Sequence, residues 1–572
     1  MSADNRIKVV LGWHMHQPHY QDLISGEYHL PWTYLHAIKD YVDMAAHLEA
    51  VPNARAVVNF APILLEQIAD YSDQIKAFLA EGAAIRDSLL AALACTILPT
   101  DPELRELLVR NCLRANQERL INRFPPFHRL ADLARVFHTQ RDSISYASEQ
   151  FLADIVVWYH LAWMGETVRR KDARIKQLME KGGMYTLHDR RILLEVIGEL
   201  LAGVIGRYKA LAKSGQVELS FTPYAHPIVP LLLDFNVAKE AMPNVILPLV
   251  EHYPGGEARA HWHVDKGIEA FRDVFGFVPQ GCWPSEGGVS TAALKLLGEH
   301  GVRWVATGEQ VLRNSLMLSG LIKNLPKEQG QHRVYEVPDT NVACFFRNDG
   351  LSDLIGFTYQ TWHADDAIAN LIHHLENIAT SCPNHSDTVV TIMLDGENAW
   401  ESYPENGYYF LRALYERLAA HPKIHLTTFS ECLDAGVASY ELPRLVAGSW
   451  VYGTFSTWIG NTDKNRAWEM LSEAKRRYDV AMGSKRYTAT QRTLLERQLA
   501  ICEGSDWFWW FGDYNPAEAV SDFERLFRLH LANLYQLLGE EPPEYLSHVF
   551  AHGGGTPQSG GVMRRGTESS DE

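Results

Sequence analysis

Short apolar runs that end at polar residues recur along the first three quarters of the chain. The run at 389–394 is continuous and rich in β-branched residues, which is typical of a strand buried on both faces of a parallel sheet. It stops at Asp395, Gly396 and Glu397. An Asp-Gly pair is also ordinary turn chemistry, so this run alone leaves open a plain strand-to-loop turn.

The same pattern predicts several more strands, with helical periodicity between many of them. Helices are predicted, for example, at 292–300 and 367–379. This alternation favours either a parallel barrel or a doubly wound sheet, both of the α/β class. The other predicted strands are 7–13, 56–62, 215–227, 303–307, 333–337, 342–347 and 424–429.

Two regions are predicted to be helical instead. Residues 63–212 have mostly helical spacing and are interpreted as an insertion beside the sheet, with the aromatic-rich stretch 151–164 as core packing. Beyond residue 443, amphipathic helices at 465–482, 489–501 and 516–538 predict an antiparallel helical domain. The predicted organisation is therefore a catalytic domain at 1–440, a helical domain at 441–551 and a disordered, Gly-rich tail at 552–572.

Composition narrows the class of protein. With 46% apolar residues, 22% charged residues and a formal net charge of −17, the chain is predicted to be globular and soluble and to bind neither nucleic acid nor membranes. Its seven cysteines are scattered, and no secretion signal or membrane span is visible, so we expect a reducing, cytoplasmic location. The 15 tryptophans offer flat apolar faces that suit sugar rings.

Polar side chains in or just after the strands are the candidate functional residues. His14 and His16 follow the first strand and share one face; they can be metal ligands, hydrogen-bonding groups of a pocket, or a buried pair satisfied by backbone. Glu218 lies inside an apolar strand, where an unpaired carboxylate is unfavourable. Glu286 follows Trp283 and precedes two glycines, which allow the backbone to approach a ligand closely.

Five short motifs give the sequence a resemblance to glycoside hydrolase family 57. Taken in order, the motifs are His14-Met-His16-Gln17-Pro18, Gly215-Gln-Val-Glu218, Trp283-Pro-Ser-Glu286, Asp395-Gly-Glu397-Asn-Ala-Trp400 and Gly504-Ser-Asp506-Trp507. The third and fourth most resemble the α-amylase and amylopullulanase branch. The resemblance implies an incomplete (β/α)7 barrel followed by a helical domain, and retaining cleavage of α-1,4 linkages in starch or glycogen, with α-1,6 cleavage left open.

The same resemblance implies that Glu286 is the nucleophile and Asp395 the general acid/base. Retaining glycosidases need two carboxyl groups, of which one is ionised while the other holds a proton. Glu286, in a polar loop, is expected to be ionised, whereas burial is expected to raise the pKa of Asp395. No cofactor or metal is expected. The predicted substrate-binding residues are His14, His16, Gln17, Glu218, Trp283, Glu397, Trp400, Asp506 and Trp507.

Three alternatives remain. A 4-α-glucanotransferase or branching enzyme would use the same covalent intermediate and pass it to a sugar hydroxyl. A metal-dependent hydrolase would use His14, His16 and Asp395 as ligands. A glucan-binding module would lack activity. The residue types do not predict chain-length preference or oligomeric state.

Overall fold

The computed structural model describes residues 5–323, 327–484, 486–555 and 563–564. Within them, ten strands form one sheet. The strands are β1 Ile7–Met15, β2 Ala56–Phe60, β3 Val217–Phe221, β4 Gly281–Cys282, β5 Trp304–Thr307, β6 Val334–Glu336, β7 Ala343–Phe346, β8 Val389–Asp395, β9 Ile424–Thr427 and β10 Ser439–Glu441.

Helices surround this sheet and follow it. They are α1 Trp32–His36, α2 Val42–Ala50, α3 Pro62–Glu81, α4 Ser88–Ala94, α5 Pro102–Asn111, α6 Pro125–Thr139, α7 Glu149–Trp163, α8 Glu166–Lys171, α9 Ala173–Lys181, α10 Leu187–Lys213, α11 Val229–Leu233, α12 Ala238–Ala241, α13 Gly256–Phe275, α14 Thr291–Glu299, α15 Glu309–Leu318, α16 Lys327–Gln331, α17 Asp349–Asp353, α18 Ala364–Ser381, α19 Tyr408–Ala419, α20 Phe429–Asp434, α21 Thr462–Met482, α22 Ala489–Cys502, α23 Ser505–Trp510 and α24 Ala517–Leu537.

Seven parallel strands make a barrel, in the order β8-β1-β2-β3-β4-β5-β7. The barrel closes between β7 and β8, where Arg347 pairs with Thr391 and the Asn348 amide donates a 2.7 Å hydrogen bond to the Thr391 carbonyl. The prediction of an incomplete (β/α)7 barrel with a helical C-terminal region is confirmed. β6 and β10 extend the sheet beyond β7, and β9 pairs with the first half of β1.

Burial explains why the strands are apolar on both faces. All nine residues of β1 and the first six of β8 are buried, because helices cover the outside of the barrel and side chains fill its interior. The predicted strands recur with ends shifted by a few residues. Neither β4 nor β10 was predicted. Phe277 and Val278, whose residue types are typical of a strand, lie just before β4 and are exposed.

The predicted helical regions are present. Helices α3 to α10 lie between β2 and β3, and the 27-residue α10 packs along α3. Thr186 and Asp189 cap α10 reciprocally. Beyond the barrel, α21, α22 and α24 match the three predicted helices and pack together, and the short α23 lies between α22 and α24.

A buried ion cluster joins the helical region to the barrel. Glu503, directly after α22, accepts hydrogen bonds from Arg259, His263 and Tyr253, with the Tyr253 hydroxyl at 2.6 Å and His263 Nε2 at 2.7 Å. Burial alone would raise the pKa of Glu503, but Arg259 and His263 outweigh it and lower that pKa to about 2. This cluster fixes the start of α23 against the barrel.

Other sequence predictions meet the structure only in part. Most of the tail predicted to be disordered, 552–572, lies outside the described residues, but the described Gly554 and Gly555 hydrogen-bond to the backbone of Asp513 and Asn515. All seven cysteines are free thiols. Among the described helices, none has the length and apolarity needed to cross a membrane.

Candidate active site

A cavity of about 850 Å³ opens at the carboxyl ends of the barrel strands, where barrels of this kind carry their chemistry. Its walls come from the barrel, the insertion and the helical region together. The predicted site residues brought together there are His14, His16, Gln17, Glu286, Asp395, Glu397 and Asp506.

Glu286 follows β4 in a tight turn. Its backbone is left-handed, with φ 57°, and Gly287 beside it has φ 58°; such a conformation is strained for a residue with a side chain. Trp450 Nε1 donates a hydrogen bond of 3.0 Å to Glu286 Oε2. Burial, and then the charge of Asp395, raise the pKa of Glu286 to about 8. The expectation of an ionised Glu286 in a polar loop is therefore wrong, since the protein buries this carboxyl group.

Asp395 is the last residue of β8 and therefore faces the cavity. Asn398 donates a 3.2 Å hydrogen bond to its Oδ2 atom. Burial raises the pKa of Asp395 to about 6, as expected for a carboxyl group at the end of an apolar strand. Because the charge of Asp395 raises the pKa of Glu286, the two carboxyl groups favour a state that keeps one proton between them.

Three histidine rings stack on one another at the cavity, to which His14 and His16 belong. The His16 and His226 ring centroids are 3.8 Å apart, and those of His14 and His226 are 5.1 Å apart. Burial lowers the pKa of His14 to about 3 and that of His226 well below its usual value, so both rings are neutral at neutral pH.

The hydrogen bonds of this stack assign the tautomers. His14 Nδ1 lies 2.6 Å from Asn59 Oδ1, which accepts because the Asn59 amide nitrogen donates to Ser220. His14 Nε2 must then accept from His226 Nε2, 3.1 Å away. His226 Nδ1 accepts in turn from the Ser505 hydroxyl, at 2.7 Å. Both nitrogens of His226 are thus engaged within the protein.

Glu397 forms the base of the cavity on the β1 side. Its Oε1 atom accepts hydrogen bonds from Gln17 Nε2, at 3.0 Å, and from the Tyr41 hydroxyl, at 3.3 Å. Burial and the charge of Asp395 raise its pKa well above the usual value. Gln17 is itself held by the Tyr20 hydroxyl, at 2.9 Å. Gln17 and Glu397 therefore form a fixed hydrogen-bonding group beside Asp395.

The helical region closes the cavity through α23. Asp506 Oδ1 lies 2.8 Å from His16 Nε2, which links two residues 490 positions apart. Trp509 and Trp510, from the same helix, line the wall. Trp32, the first residue of α1, and Trp163, the last residue of α7 in the insertion, also line the cavity. The cavity lining thus combines carboxyl groups with aromatic rings.

Four predicted site residues do not line the cavity. Glu218 is the second residue of β3, far from that strand's carboxyl end, and its carboxylate accepts hydrogen bonds from Trp304 Nε1 at 2.7 Å and the Ser430 amide at 3.0 Å. It is paired, as expected for a buried carboxylate, but within the barrel core. The other three, all less than 2% exposed, are Trp283, Trp400 and Trp507.

Those three tryptophans support the site from behind. Trp283 packs edge-on against Trp450, with ring centroids 5.3 Å apart. Trp400 Nε1 donates to the Gly396 carbonyl at 3.0 Å, and Trp507 Nε1 donates to the Ile501 carbonyl at 2.8 Å. Their indole nitrogens or faces are used inside the protein, so their predicted role in sugar stacking is wrong.

Several residues at the cavity were not predicted from the sequence. His226 and Trp450 contact the core of the site although neither belongs to the quoted motifs. Trp509 and Trp510 lie in the aromatic run that was noted, and Trp163 lies in a stretch interpreted as core. The left-handed φ of 59° at His226 is visible only in the structure.

Among the residues that the structure describes, one group of side chains could hold a metal ion. His16, His226 and Asp506 have ligand atoms that all lie within 4.8 Å of one another. This set differs from the predicted alternative of His14, His16 and Asp395. Since His226 uses both ring nitrogens for His14 and Ser505, an ion would have to displace an existing hydrogen bond.

Comparison with protein families gives one match. The model of glycosyl hydrolase family 57 matches residues 10–444, which is most of the chain. No curated protein matches the sequence.

Solved structures with similar folds cover nearly the whole chain. The GH57 branching enzyme of Thermococcus kodakaraensis has a TM-score of 0.56 at 16% identity, over 93% of this chain and 90% of that one. The GH57-type branching enzyme of Pyrococcus horikoshii has a TM-score of 0.56 at 15% identity, over 94% and 98%. The α-amylase of Thermotoga maritima has a TM-score of 0.56 at 13% identity, over 95% and 96%.

Proposed function

Because the chain belongs to glycosyl hydrolase family 57, we propose that it is a retaining enzyme that cleaves α-1,4 linkages of starch- or glycogen-type glucans. The observation that carries this proposal is the pair of buried carboxyl groups, Glu286 and Asp395, in one cavity at the strand ends. Raised pKa values on both allow the pair to keep one proton near neutral pH.

The reaction then has two steps. The single proton of the pair resides mostly on Glu286, the group with the higher pKa, and the reactive form is the one in which it has moved to Asp395. In that form Glu286 is ionised and attacks the anomeric carbon while Asp395 gives its proton to the leaving glycosidic oxygen, which forms a covalent glycosyl-Glu286 intermediate. Asp395, now ionised, removes a proton from an incoming hydroxyl, and that oxygen displaces Glu286. Both inversions together retain the α configuration. No cofactor is needed for either step.

The remaining cavity residues bind the sugar at the reacting position. The Gln17–Glu397 group offers polar atoms in fixed positions to sugar hydroxyls. His14, whose two ring nitrogens are bonded to Asn59 and His226, contributes a neutral ring to the same lining. Asp506 and His16 add a polar, hydrogen-bonding edge, and Trp509 and Trp510 supply flat walls. A neutral, hydroxyl-rich chain suits this lining.

A second candidate function is transfer to another glucan, as in a branching enzyme or a 4-α-glucanotransferase. The observation that favours it is that two of the similar structures named above are of branching enzymes. In this case a sugar hydroxyl, not water, would displace Glu286. An α-amylase is also among these structures, so the same comparison supports hydrolysis equally.

Product analysis tests both candidates. The enzyme would be incubated separately with amylose, pullulan and maltoheptaose, and the products followed by chromatography and by NMR of the new anomeric centres. Hydrolysis gives shorter chains with new α-anomeric reducing ends. Transfer from maltoheptaose gives longer chains without a net gain of reducing ends, and branching of amylose gives new α-1,6 signals. Products with β-anomeric ends, or no reaction on any glucan, would refute the proposal.

A further inference from the structure

A second groove, of about 560 Å³, lies on the other side of the loop that follows β8. One end of this loop lines the catalytic cavity through Glu397 and Glu401, and its other end lines the groove through Tyr403 and Glu405. Trp400 lies between them and is buried against Tyr403, with ring centroids 5.4 Å apart. The groove is therefore a direct neighbour of the cavity.

Two large aromatic residues of the groove are partly exposed, and one of them, Tyr409, has Arg170 over its ring, 5.2 Å from the centroid. Trp362, before α18, is 41% exposed, and Tyr409, at the start of α19, is 51% exposed. Tyr359 supports the Trp362 ring edge-on at 5.4 Å. Exposed aromatic rings around a groove mark a binding surface more often than a structural one, and their flat faces suit the apolar faces of sugar rings.

Charged and polar groups stand beside these rings. The carboxylates outnumber the cations, which disfavours an anionic ligand, while the mixture offers both acceptors and donors to hydroxyl groups. Arg412 Nε is already neutralised by Glu416, 2.9 Å away. The polar lining consists of His363, Asp365, Glu405, Arg412 and Glu416.

The backbone that carries Glu405 is held in a strained shape. Glu405, Asn406 and Gly407 are three successive left-handed residues, with φ of 46°, 54° and 71°. Asn406 is clamped by Lys39, at 3.1 Å, and by Asp43, at 3.0 Å. Strain of this kind persists only where surrounding contacts enforce it and often accompanies a binding role. The clamp fixes Glu405 at the groove.

We propose that this groove is a second α-glucan site, which holds another stretch of the polymer while the catalytic cavity acts on its neighbour. The inference rests on the proposed function for the class of ligand. It predicts that the groove matters for long chains and not for substrates that fill the cavity alone.

Affinity electrophoresis through gels containing amylopectin tests binding, in the Glu286→Gln background so that the polymer is not consumed. Trp362→Ala and Tyr409→Ala should each weaken retardation about three- to tenfold, the range for loss of one aromatic contact. Phe277→Ala is the matched control, since Phe277 is 42% exposed and precedes β4 at the opposite end of the barrel; its retardation should be unchanged.

Kinetics in the active background separate the groove from the cavity. Trp362→Ala should lower kcat/KM on amylopectin by a similar factor and leave kcat/KM on a nitrophenyl maltoside unchanged. If the wild type acts on α-glucans but both groove variants match Phe277→Ala in binding and in kinetics, the second site is refuted while the proposed function stands. A wild type that neither acts on amylopectin nor is retarded by it would overturn both.

Discussion

Trp450 holds Glu286 at two points: its indole Nε1 donates to Glu286 Oε2 at 3.0 Å, and its backbone amide donates to the Glu286 carbonyl at 3.1 Å. The same ring stacks beneath the Arg347 guanidinium, 5.3 Å from its centroid, and packs edge-on against Trp283. A loop beyond the last barrel strand thus fixes the candidate nucleophile, whose own backbone is strained.

The first prediction concerns the pH profile. Since the pKa of Asp395 is raised to about 6 and that of Glu286 to about 8, the one-proton form dominates between them and kcat/KM should be bell-shaped. Trp450→Phe removes a hydrogen bond that favours the ionised Glu286 and so raises the pKa of Glu286. The descending limb, which follows that pKa, should therefore move up by about 0.5–1 pH unit, the equivalent of about 1 kcal/mol. Trp283→Phe, which keeps the Trp450 bond, is the control. An unmoved profile in Trp450→Phe would contradict the role given to this bond.

Glu286→Ala should abolish turnover, and added azide should restore it on an activated α-glucoside with formation of the β-glycosyl azide. The small anion takes the place of the missing carboxylate and attacks from the same face. NMR of the product identifies the anomer. Near-normal activity in the variant without azide would show that another group is the nucleophile.

The stability of Glu286→Gln tests whether burial raises the pKa of Glu286. A carboxyl group whose pKa is raised in the folded state destabilises that state increasingly as the pH rises from its ordinary value toward the raised one. The amide variant should therefore melt higher than the wild type at pH 7, by the equivalent of about 1–3 kcal/mol, with the gain fading toward pH 4. Melting curves across this range would reveal it, and an equal Tm at pH 7 would argue against a raised pKa.

Asp395→Asn should slow the first chemical step most for poor leaving groups. General acid catalysis typically contributes about 10²- to 10⁴-fold, and an acidic nitrophenol needs little protonation to leave. Pre-steady-state rates on a nitrophenyl maltoside and on maltoheptaose give the comparison. Equal losses on the two substrates would remove Asp395 from the acid role.

Asp506→Asn should lower kcat/KM by the equivalent of about 1–3 kcal/mol while the Tm changes little, because Asp506 lines the cavity and orients His16. Glu218→Gln is the converse control: its carboxylate serves Trp304 and Ser430 inside the barrel, so the variant should lose Tm and keep kcat/KM. If Asp506→Asn instead melts lower with full activity, its bond to His16 only ties the helical region to the barrel.

Exhaustive chelation should leave activity intact, because the two carboxyl groups suffice for the chemistry and His226 uses both ring nitrogens within the protein. Activity would be measured before and after chelation and after zinc is added back. A loss on chelation that zinc reverses would establish the metal-dependent alternative and point to His16, His226 and Asp506 as its ligands.

The periodicity of the sequence was enough to predict an α/β sheet, the helical insertion and the C-terminal helices, because strand burial on two faces and helical amphipathicity are local signals. The choice of a barrel over a doubly wound sheet came only from the family resemblance. His14, His16 and Asp395 were found because each lies at the end of a strand or directly after it. Glu286 was found because of the tryptophan before it and the two glycines after it. Glu218 was wrongly assigned to the substrate-binding residues, because its motif was noted but its position along the strand was not. It stands at the beginning of β3, away from the strand end that faces the cavity.

The aromatic residues that line the cavity could not be predicted from the sequence. The run from Trp507 to Phe511 contains only aromatic residues, so the sequence does not show which of them face the cavity. The turn of α23 places Trp509 and Trp510 in the cavity lining and buries Trp507. The pKa of Glu286 was misjudged because burial of a loop residue depends on distant segments, here the loop that carries Trp450. Such long-range packing leaves no local pattern.

The hydrogen bond between His16 and Asp506 affects when the cavity can close during translation of the chain. It joins the end of the first strand to a helix that leaves the ribosome 490 residues later, so the cavity stays open on one side until the last tenth of the chain has been made. Contacts of such sequence separation form late and slowly in folding. A nascent chain can therefore carry both carboxyl groups in place without a closed cavity, and we expect catalysis to begin only when the barrel and the final helices have met.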